Sequence, residues 1–545
     1  MQGRAIVFHH EFRFYLERKS CGPKIRSKTE AQILMKKDKI KDSTVVSPKY
    51  MAFVLGAFGL LMTIGSFSWI TGDIPGFYTE GLSGANRILN SLTGVVLTSI
   101  ALVTPLTSNL YSPQLVRLYL SHPLIITGLS VLVFGQSTVL GSLLLGNDNP
   151  YYPMLTMLSV TTVYFVLAGV MPYLWFVSHF LRPSYFMPLL TQRATKMMTK
   201  LDKSESNPEQ YQAIFETVDV VANIALTGMR RGDRRLVLLA IRSLHQLLVE
   251  FLTIFKEGRD DLNQIRPLFV AGLVREGQEY LKEHQIWPEA YILAHLVEIM
   301  EQTDRRQHQL LAEMAELLVD SAGLAVEQGR DDLIELHILV FNALMRMAVD
   351  EKDVRKFQNL SYHFRLLVEK LTWMPAWMEE VVKHMIHYGK MANKRNMRGA
   401  LETVLYDLGE LALSLSRVDE HLATDFVENH AAPAWFEAIN LGEHLKTVSW
   451  RATIRVYWES VVIDNRYLSE LIRENYLHDD QMHKRYIEKM ITNNRPLHWE
   501  FNDRLLRMAY LSPSAESLAW EFVSNHEDEA MMPESSVIDE EESGI

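Results

Sequence analysis

The chain has 545 residues, of which 48% are hydrophobic and 22% are charged, and it carries a formal net charge of -11 and a single cysteine. One cysteine excludes an intramolecular disulfide, and it excludes zinc or iron–sulfur sites that need several cysteines. The charge divides into +7 for residues 1–49, -1 for 50–181 and -17 for 182–545. The acidic last part argues against nucleic acid as a partner, because that binding depends on Lys and Arg contacts to phosphates.

Residues 1–49 form a basic arm that mixes aromatic and basic residues without a regular period. Met35-Lys36-Lys37 resembles a natural start of a bacterial inner-membrane protein, so we expect translation to begin at either Met1 or Met35. If residues 1–34 are translated, we expect a cytoplasmic arm that lies on the membrane surface.

Four stretches without Asp, Glu, Lys or Arg follow in close succession. They hold 22, 29, 30 and 33 residues, at 51–72, 88–116, 118–147 and 149–181. Because a bilayer core needs about 20 apolar residues per helix, each stretch is long enough to cross it. The sequence therefore predicts a transmembrane domain of four helices over 50–182, with the lipid bilayer as its surroundings.

Basic residues flank this block on one side only. Lys and Arg cluster before the first span and after the fourth, whereas the two loops on the other side carry Arg87 as their one basic residue. Since Lys- and Arg-rich flanks remain in the cytoplasm, both termini are predicted to be cytoplasmic. The expected location is a bacterial inner membrane.

The polar residues of the second and third spans are neutral hydroxyls and amides, and we select Thr98 and Ser99 as candidate pore residues. The span interiors hold no acid, Lys or Arg, which argues against a proton- or ion-coupled pump. Such residues are typical of a hydroxyl-lined pore, but also of close packing between membrane helices. The sequence leaves both interpretations open.

A connection between the second and third spans begins with Ser112-Pro113, a pair that favours a helix start with Ser as N-cap and Pro in the first turn. Gln114–Leu120 would then be a short cytoplasmic helix or an extension of the third span. Ser112, Pro113 and Arg117 are our candidate gating residues.

Residues 183–525 predict a large cytoplasmic helical domain, since apolar residues recur there at steps of three and four. Similar turn sequences recur at Gly232-Asp233, Gly258-Arg259-Asp260 and Gly329-Arg330-Asp331, where Gly would end one helix and Asp would begin the next. This spacing suggests an α-solenoid or, alternatively, a plain helical bundle. The fold class is all-α throughout, and the acidic tail 526–545 is expected to be disordered.

Catalytic signatures such as phosphate-binding loops, dinucleotide fingerprints and metalloprotease motifs are absent from the sequence. Two polar clusters remain, Glu380-His384-His387 on one helical face and His478–His483. Both are more typical of solvated surfaces than of metal sites. We therefore expect no enzyme activity, no cofactor and no metal.

Two segments carry a resemblance to a known family. Gly84-Ala85-Asn86-Arg87-Ile88-Leu89 leads into the second span, and Thr107-Ser108-Asn109-Leu110-Tyr111-Ser112-Pro113-Gln114-Leu115-Val116-Arg117 ends it. Over about residues 80–200 the chain resembles the bacterial membrane proteins called domain of unknown function 2254. It departs from that family at Gln114, where a basic residue is usual, and at Ser121-His122, where an acidic-basic pair is usual. The resemblance implies a membrane topology and no activity.

Two functions fit these patterns. The first is an oligomeric channel-like or flux-gating protein, with the second and third spans lining the pathway and the Tyr111–Arg117 turn coupling it to the helical domain. The second is a membrane-anchored scaffold or sensor, whose helical domain binds a cytoplasmic protein partner.

Overall fold

A computed structural model of the protein describes residues 77–111, 113–146, 149–201, 208–255, 275–303, 307–477, 480–492 and 510–530. The basic arm, the first predicted span at 51–72 and Ser112 lie outside the described residues.

Every regular element in the described part of the chain is a helix, so the all-α fold class is confirmed. A short π-helical turn, Val427–Ala431, precedes α16. The α-helices are α1 Phe77–Leu110, α2 Pro113–Leu120, α3 Pro123–Leu145, α4 Tyr152–Phe180, α5 Pro183–Leu201, α6 Pro208–Arg231, α7 Arg234–Ile254, α8 Arg275–Glu283, α9 Trp287–Glu301, α10 His308–Gln328, α11 Asp331–Asp350, α12 Val354–Lys370, α13 Pro375–Lys394, α14 Ala400–Ser416, α15 Glu420–Phe426, α16 Ala432–Ile439, α17 Glu443–Val462, α18 Arg466–Tyr476, α19 Asp480–Thr492 and α20 Pro513–Ala530.

The chain divides into two compact units. Among the described residues, the first unit holds 77–108 and 116–182, and the second holds 109–115 together with the residues from Pro183 onward. The boundary after Arg182 lies where the sequence analysis ended the transmembrane domain. Residues 109–115, which fall inside the predicted transmembrane domain, are grouped with the second unit.

In the first unit, α3 and α4 pack side by side as a helical hairpin. One face of α1 packs into the same hydrophobic cluster through the buried side chains of Leu82, Leu89, Val96 and Val103. The Tyr173 hydroxyl of α4 donates to the Val96 carbonyl at 3.4 Å. The three helices therefore share one apolar core.

A glycine allows this close packing. A Cβ atom added at Gly135 would lie 2.7 Å from Thr162 Cγ2 and 3.2 Å from Leu89 Cδ1, whereas one added at Gly128 would meet no atom within 4 Å. We expect Gly135→Ala to lower the stability of the full-length protein in detergent by about 1–3 kcal/mol, because an overpacked core must shift. Gly128→Ala, on the same helix, is the matched control for thermal unfolding. Equal midpoints for the two variants would refute this account of the packing.

Four described helices are long and apolar enough to cross a membrane, over Thr79–Asn109, Pro123–Leu145, Tyr152–Phe180 and Arg234–Ile254. The first three correspond to the second, third and fourth predicted spans. The last is α7, which the sequence analysis placed in the helical domain. Half of its apolar window is buried, and it packs against α5, α6, α9 and α10. We therefore interpret α7 as a core helix of the second unit.

The second unit is built from two rows of stacked helices. Within one row α5, α7, α10, α12, α14 and α17 pack successively against one another, and within the other α6, α9, α11 and α13 do the same. Helices of one row also pack against those of the other. Nearest-neighbour stacking of this kind is typical of an α-solenoid. Of the two open alternatives for the helical domain, this arrangement favours the solenoid.

The predicted helix boundaries are found at several turns. Gly232 has φ +70°, a conformation that favours glycine, and the Asp233 side chain accepts from Leu236 N at 3.1 Å to cap α7. Gly329 ends α10 in the left-handed conformation. α2 begins at Pro113 and is a separate short helix rather than an extension of the third span.

The last helix, α20, continues to Ala530 and thus includes five residues of the tail that was expected to be disordered. Buried Ala519 and Val523 anchor this helix, so the chain remains helical beyond them. Residues 531–545 lie outside the described part of the chain.

Candidate functional site

α1 differs from the other two helices of the first unit in how its polar residues are distributed. Along α3 and α4 apolar residues point in all directions, whereas α1 is amphipathic. Successive helical residues are about 100° apart, so steps of three and four residues follow one face. One such face of α1, with Leu97 (53% exposed) at its edge, carries small and polar residues that are all exposed: Ser83, Arg87, Asn90, Gly94, Thr98, Ala101 and Pro105. We call these seven residues the polar face.

A second exposed face of α1 carries large apolar residues. Ile88, Val95, Leu102 and Leu106 are each between 38% and 60% exposed. Large aliphatic side chains are suited to contact with lipid. Polar groups facing hydrocarbon lack hydrogen-bond partners, which is unfavourable. The polar face is therefore the part of α1 that requires another surface or water.

An amide cluster joins the polar face to α3. Gln136 Nε2 donates to Asn90 Oδ1 at 3.0 Å and lies 3.4 Å from Thr93 Oγ1. Asn90 Nδ2 in turn donates to Asn86 Oδ1 at 3.0 Å. These bonds satisfy some of the amide groups and orient Asn90, which remains exposed.

Other hydroxyls of the first unit serve packing. Thr138 and Ser142 of α3 and Ser159 and Thr162 of α4 are buried and donate to carbonyls of their own helices. The Ser159 hydroxyl also lies 3.1 Å from Thr138 Oγ1 across the hairpin. For these four residues the contacts favour the packing interpretation.

The structure separates the two candidate pore residues. Thr98 is exposed on the polar face, whereas Ser99 is half-buried and lies on the apolar side of α1. Two of the gating candidates lie on α2. Pro113 begins α2, Arg117 is exposed, and Ser112 is outside the described residues.

The segment Asn109–Leu115 runs from the end of α1 into the beginning of α2 and packs in the second unit. The Arg231 guanidinium at the end of α6 donates to the Asn109 carbonyl at 2.5 Å. The Tyr111 ring meets the Phe186 ring of α5 edge-on, with centroids 5.1 Å apart. Leu115 is buried, with 1% of its surface exposed. A hydrogen bond, a ring contact and an apolar anchor thus hold this short segment.

The surroundings of Tyr111 disfavour ionisation of its hydroxyl. Burial raises the pKa of Tyr111, and the Asp233 carboxylate raises it further, while the Arg231 guanidinium acts in the opposite direction. Tyr111, the first residue of the predicted coupling turn Tyr111–Arg117, thus attaches this turn to the helical unit. Arg231 and Phe186 provide that attachment, and no local sequence pattern indicates this role for either residue.

Arg231→Ala is expected to release Asn109–Leu115, because it removes a hydrogen bond from a charged donor to the Asn109 carbonyl. Hydrogen bonds to charged groups contribute about 1.5–3 kcal/mol. We expect amide hydrogens of 109–115 to exchange at least tenfold faster in the full-length protein, as measured by mass spectrometry. Arg235→Ala, which alters an exposed arginine of the next helix, is the control. Unchanged exchange in Arg231→Ala would show that the segment is held by its other contacts.

Among the described residues, no group of three or more His, Cys, Asp and Glu side chains could hold a metal ion. His384 Nε2 lies 3.7 Å from Glu380 Oε1, and His387 is exposed. His483 is buried, whereas His478 and Asp479 lie outside the described residues.

Comparisons with known proteins add little. No family model matches the chain, and no curated protein matches it. Among solved structures it is similar to a protein described as a circular tandem repeat protein with novel repeat topology and enhanced subunit contact surfaces. The sequence identity is 14% and the TM-score 0.32, with 73% of this chain and 97% of the other covered. At that score the likeness supports no inference about this chain.

Proposed function

We propose that this protein is an oligomeric, channel-like protein of a bacterial inner membrane, and that it is a divergent member of the domain of unknown function 2254 family. Both termini are cytoplasmic in this proposal, and the pathway is lined by the polar face of α1. The single observation that carries it is the exposed polar face beside a separate apolar face. A ring of copies would turn the polar faces toward a shared water-filled pathway, while the apolar faces remain in lipid.

The second unit would control this pathway. Asn109–Leu115 follows α1 directly and is held by Arg231 and Phe186. A rearrangement among the stacked helices that carry these two side chains would pull on the end of α1. The mechanism involves no bond making, so the proposed protein is not an enzyme and uses no cofactor.

Conductance of the purified oligomer in a planar bilayer tests the proposal. Thr98→Leu places a bulky apolar side chain on the polar face, so we expect at least a tenfold fall in conductance. Ser99→Leu introduces the same side chain one residue further, on the other side of α1, and should leave conductance unchanged. Equal effects of the two variants on conductance would show that the polar face does not line the pathway.

Cysteine accessibility gives an independent test that needs no gating stimulus. In a Cys21→Ser background, Thr98→Cys and Val95→Cys place thiols at similar depth on the polar and apolar faces. A charged thiosulfonate reagent reacts with the thiolate, which forms in contact with water. We expect Thr98→Cys to react at least tenfold faster than Val95→Cys. Similar slow rates at both positions would indicate a dry polar face and favour helix packing.

A membrane-anchored scaffold is the second candidate function. The second unit exposes several large apolar side chains, among them Leu339, Trp373, Phe436 and Tyr467, which are between 43% and 53% exposed. Stacked helices present extended surfaces that bind protein partners. A silent bilayer combined with unreactive Thr98→Cys would favour this candidate.

A further inference from the structure

Four arginines lie within six residues at the turn between α6 and α7, in a unit that is otherwise acidic. Arg230, Arg231, Arg234 and Arg235 are all exposed. We call Arg230–Arg235 the arginine turn. By comparison, residues 182–545 as a whole carry a net charge of -17.

Nearby acids only partly neutralise this turn. The Asp233 carboxylate caps α7 by accepting from Leu236 N at 3.1 Å. Glu313 of α10 lies 3.9 Å from Arg234 and 3.2 Å from Arg242. When Arg242 is counted with the four arginines of the turn, and Asp233 and Glu313 are counted as acids, a net charge of +3 remains.

Helix stability does not explain two of these arginines. The C-terminal end of a helix favours positive charge, which accounts for Arg230 and Arg231 at the end of α6. The N-terminal end disfavours it, yet Arg234 and Arg235 begin α7, whose first turn contains no acidic residue. The guanidinium of Arg234 donates to Gln309 Oε1 of α10 at 2.5 Å, so a tertiary contact accounts for that residue. The helix dipole does not account for Arg235, which is exposed.

If α1 spans the membrane, the contact with Asn109 places the arginine turn at a defined depth in the bilayer. Asn109 is the last residue of the candidate span Thr79–Asn109, which has 31 residues. At about 1.5 Å per residue this helix is about 46 Å long. A bilayer including its headgroups is about 40–45 Å thick, so the end of such a span lies at the level of the headgroups. Arg231 donates to the Asn109 carbonyl at 2.5 Å, so its guanidinium lies at that level too.

We propose that the arginine turn binds the headgroups of anionic phospholipids. Guanidinium groups match the planar oxygen pairs of a phosphate, and basic residues beside a membrane helix are attracted to anionic lipid. Phosphate lipids of the cytoplasmic leaflet would link the second unit to the membrane beside the Asn109–Leu115 segment. The proposal rests on α1 spanning the membrane and is independent of conduction.

The test uses the full-length protein in a neutral detergent, titrated with phosphatidylglycerol or phosphatidylcholine, with bound lipid counted by native mass spectrometry. The variant Arg230→Gln/Arg235→Gln removes two charges and leaves Arg231 and Arg234 in place. We expect it to lower the apparent affinity for phosphatidylglycerol by about tenfold and to leave that for phosphatidylcholine unchanged. Arg230→Lys/Arg235→Lys keeps the charge and should remain within about threefold of the wild type.

Lys394→Gln/Arg398→Gln, which removes two exposed charges elsewhere in the second unit, is the matched control and should bind like the wild type. Arg235→Gln alone is measured beside the pair, so that a folding defect in the double variant does not decide the result. Wild-type phosphatidylglycerol binding by the Arg230→Gln/Arg235→Gln variant would overturn the proposal. Displacement of the lipid by equimolar inorganic phosphate would also overturn it, since the site would then be one for free phosphate.

Discussion

Asp407→Ala is expected to lower the free energy of unfolding by about 3–5 kcal/mol, the range typical of breaking a buried ion pair. Asp407 of α14 is completely buried, and its Oδ2 accepts from the Ser361 hydroxyl at 2.6 Å. Its Oδ1 lies 3.4 Å from Nε of Arg365 on α12, a side chain only 11% exposed. Removal of the carboxylate leaves that guanidinium inside the stack without its buried counter-charge. Arg365 retains its second carboxylate, Glu369.

Chemical denaturation of the full-length protein in detergent measures this effect. Glu379→Ala removes one partner of an exposed pair with Lys383 and should leave stability almost unchanged. The double variant Arg365→Met/Asp407→Leu replaces both charges with apolar groups, so we expect it to recover most of the loss. A single variant as stable as the Glu379→Ala control would contradict the assignment of Asp407 to a buried ion pair.

The second large effect concerns the pH dependence of stability, to which two buried groups contribute in opposite directions. Burial raises the pKa of Glu289 to about 7, although its own backbone amide and Arg330 act in the opposite direction. Burial lowers the pKa of His337 to about 4, and nearby His245 lowers it further against a hydrogen bond to the Leu333 carbonyl. Both side chains are at most 4% exposed.

The two shifts act on stability with opposite signs. The folded protein holds the Glu289 proton more tightly than the unfolded chain, so acidification from pH 7 to about 4.5 stabilises it. The folded protein holds the His337 proton less tightly, so acidification from pH 6.5 to about 4 destabilises it. Between pH 6.5 and 4.5 the two contributions nearly cancel.

Single variants should reveal the separate contributions of Glu289 and His337 to the pH dependence of stability. Relative to the wild type, Glu289→Gln is expected to lose about 2.5 kcal/mol of stability between pH 6.5 and 4.5, because only the His337 contribution remains. His337→Gln should gain a similar amount over the same interval. Denaturant unfolding at the two pH values measures both differences, with exposed Glu316→Gln as a control. Profiles parallel to the wild type in both variants would refute these pKa shifts.

Much of the architecture was predictable because it depends on local patterns. Periodic apolar residues identified the helical unit, and Gly232 with Asp233 identified the end of α6 and the beginning of α7. Ser112-Pro113 identified the beginning of α2. These features depend on residues close together in sequence, so one sequence is enough to recognise them.

The candidate site was only partly predictable. Thr98 and Ser99 are neighbours of similar polarity, and only the packing of Leu89 and Val96 against α3 and α4 assigns them to different sides of α1. α7 is apolar enough to cross a membrane, and its burial among other helices is a tertiary property. The link between Arg231 and Asn109 joins residues 122 positions apart, which no local pattern reveals.

That separation along the chain has a consequence for biosynthesis. Asn109–Leu115 leaves the ribosome well before Arg231, and at about 5–20 residues per second the interval is about 6–24 s. During that time α3 and α4 are synthesised and can enter the bilayer. The attachment of Asn109–Leu115, and with it the complete fold of the second unit, is therefore expected only after α3 and α4 have been synthesised.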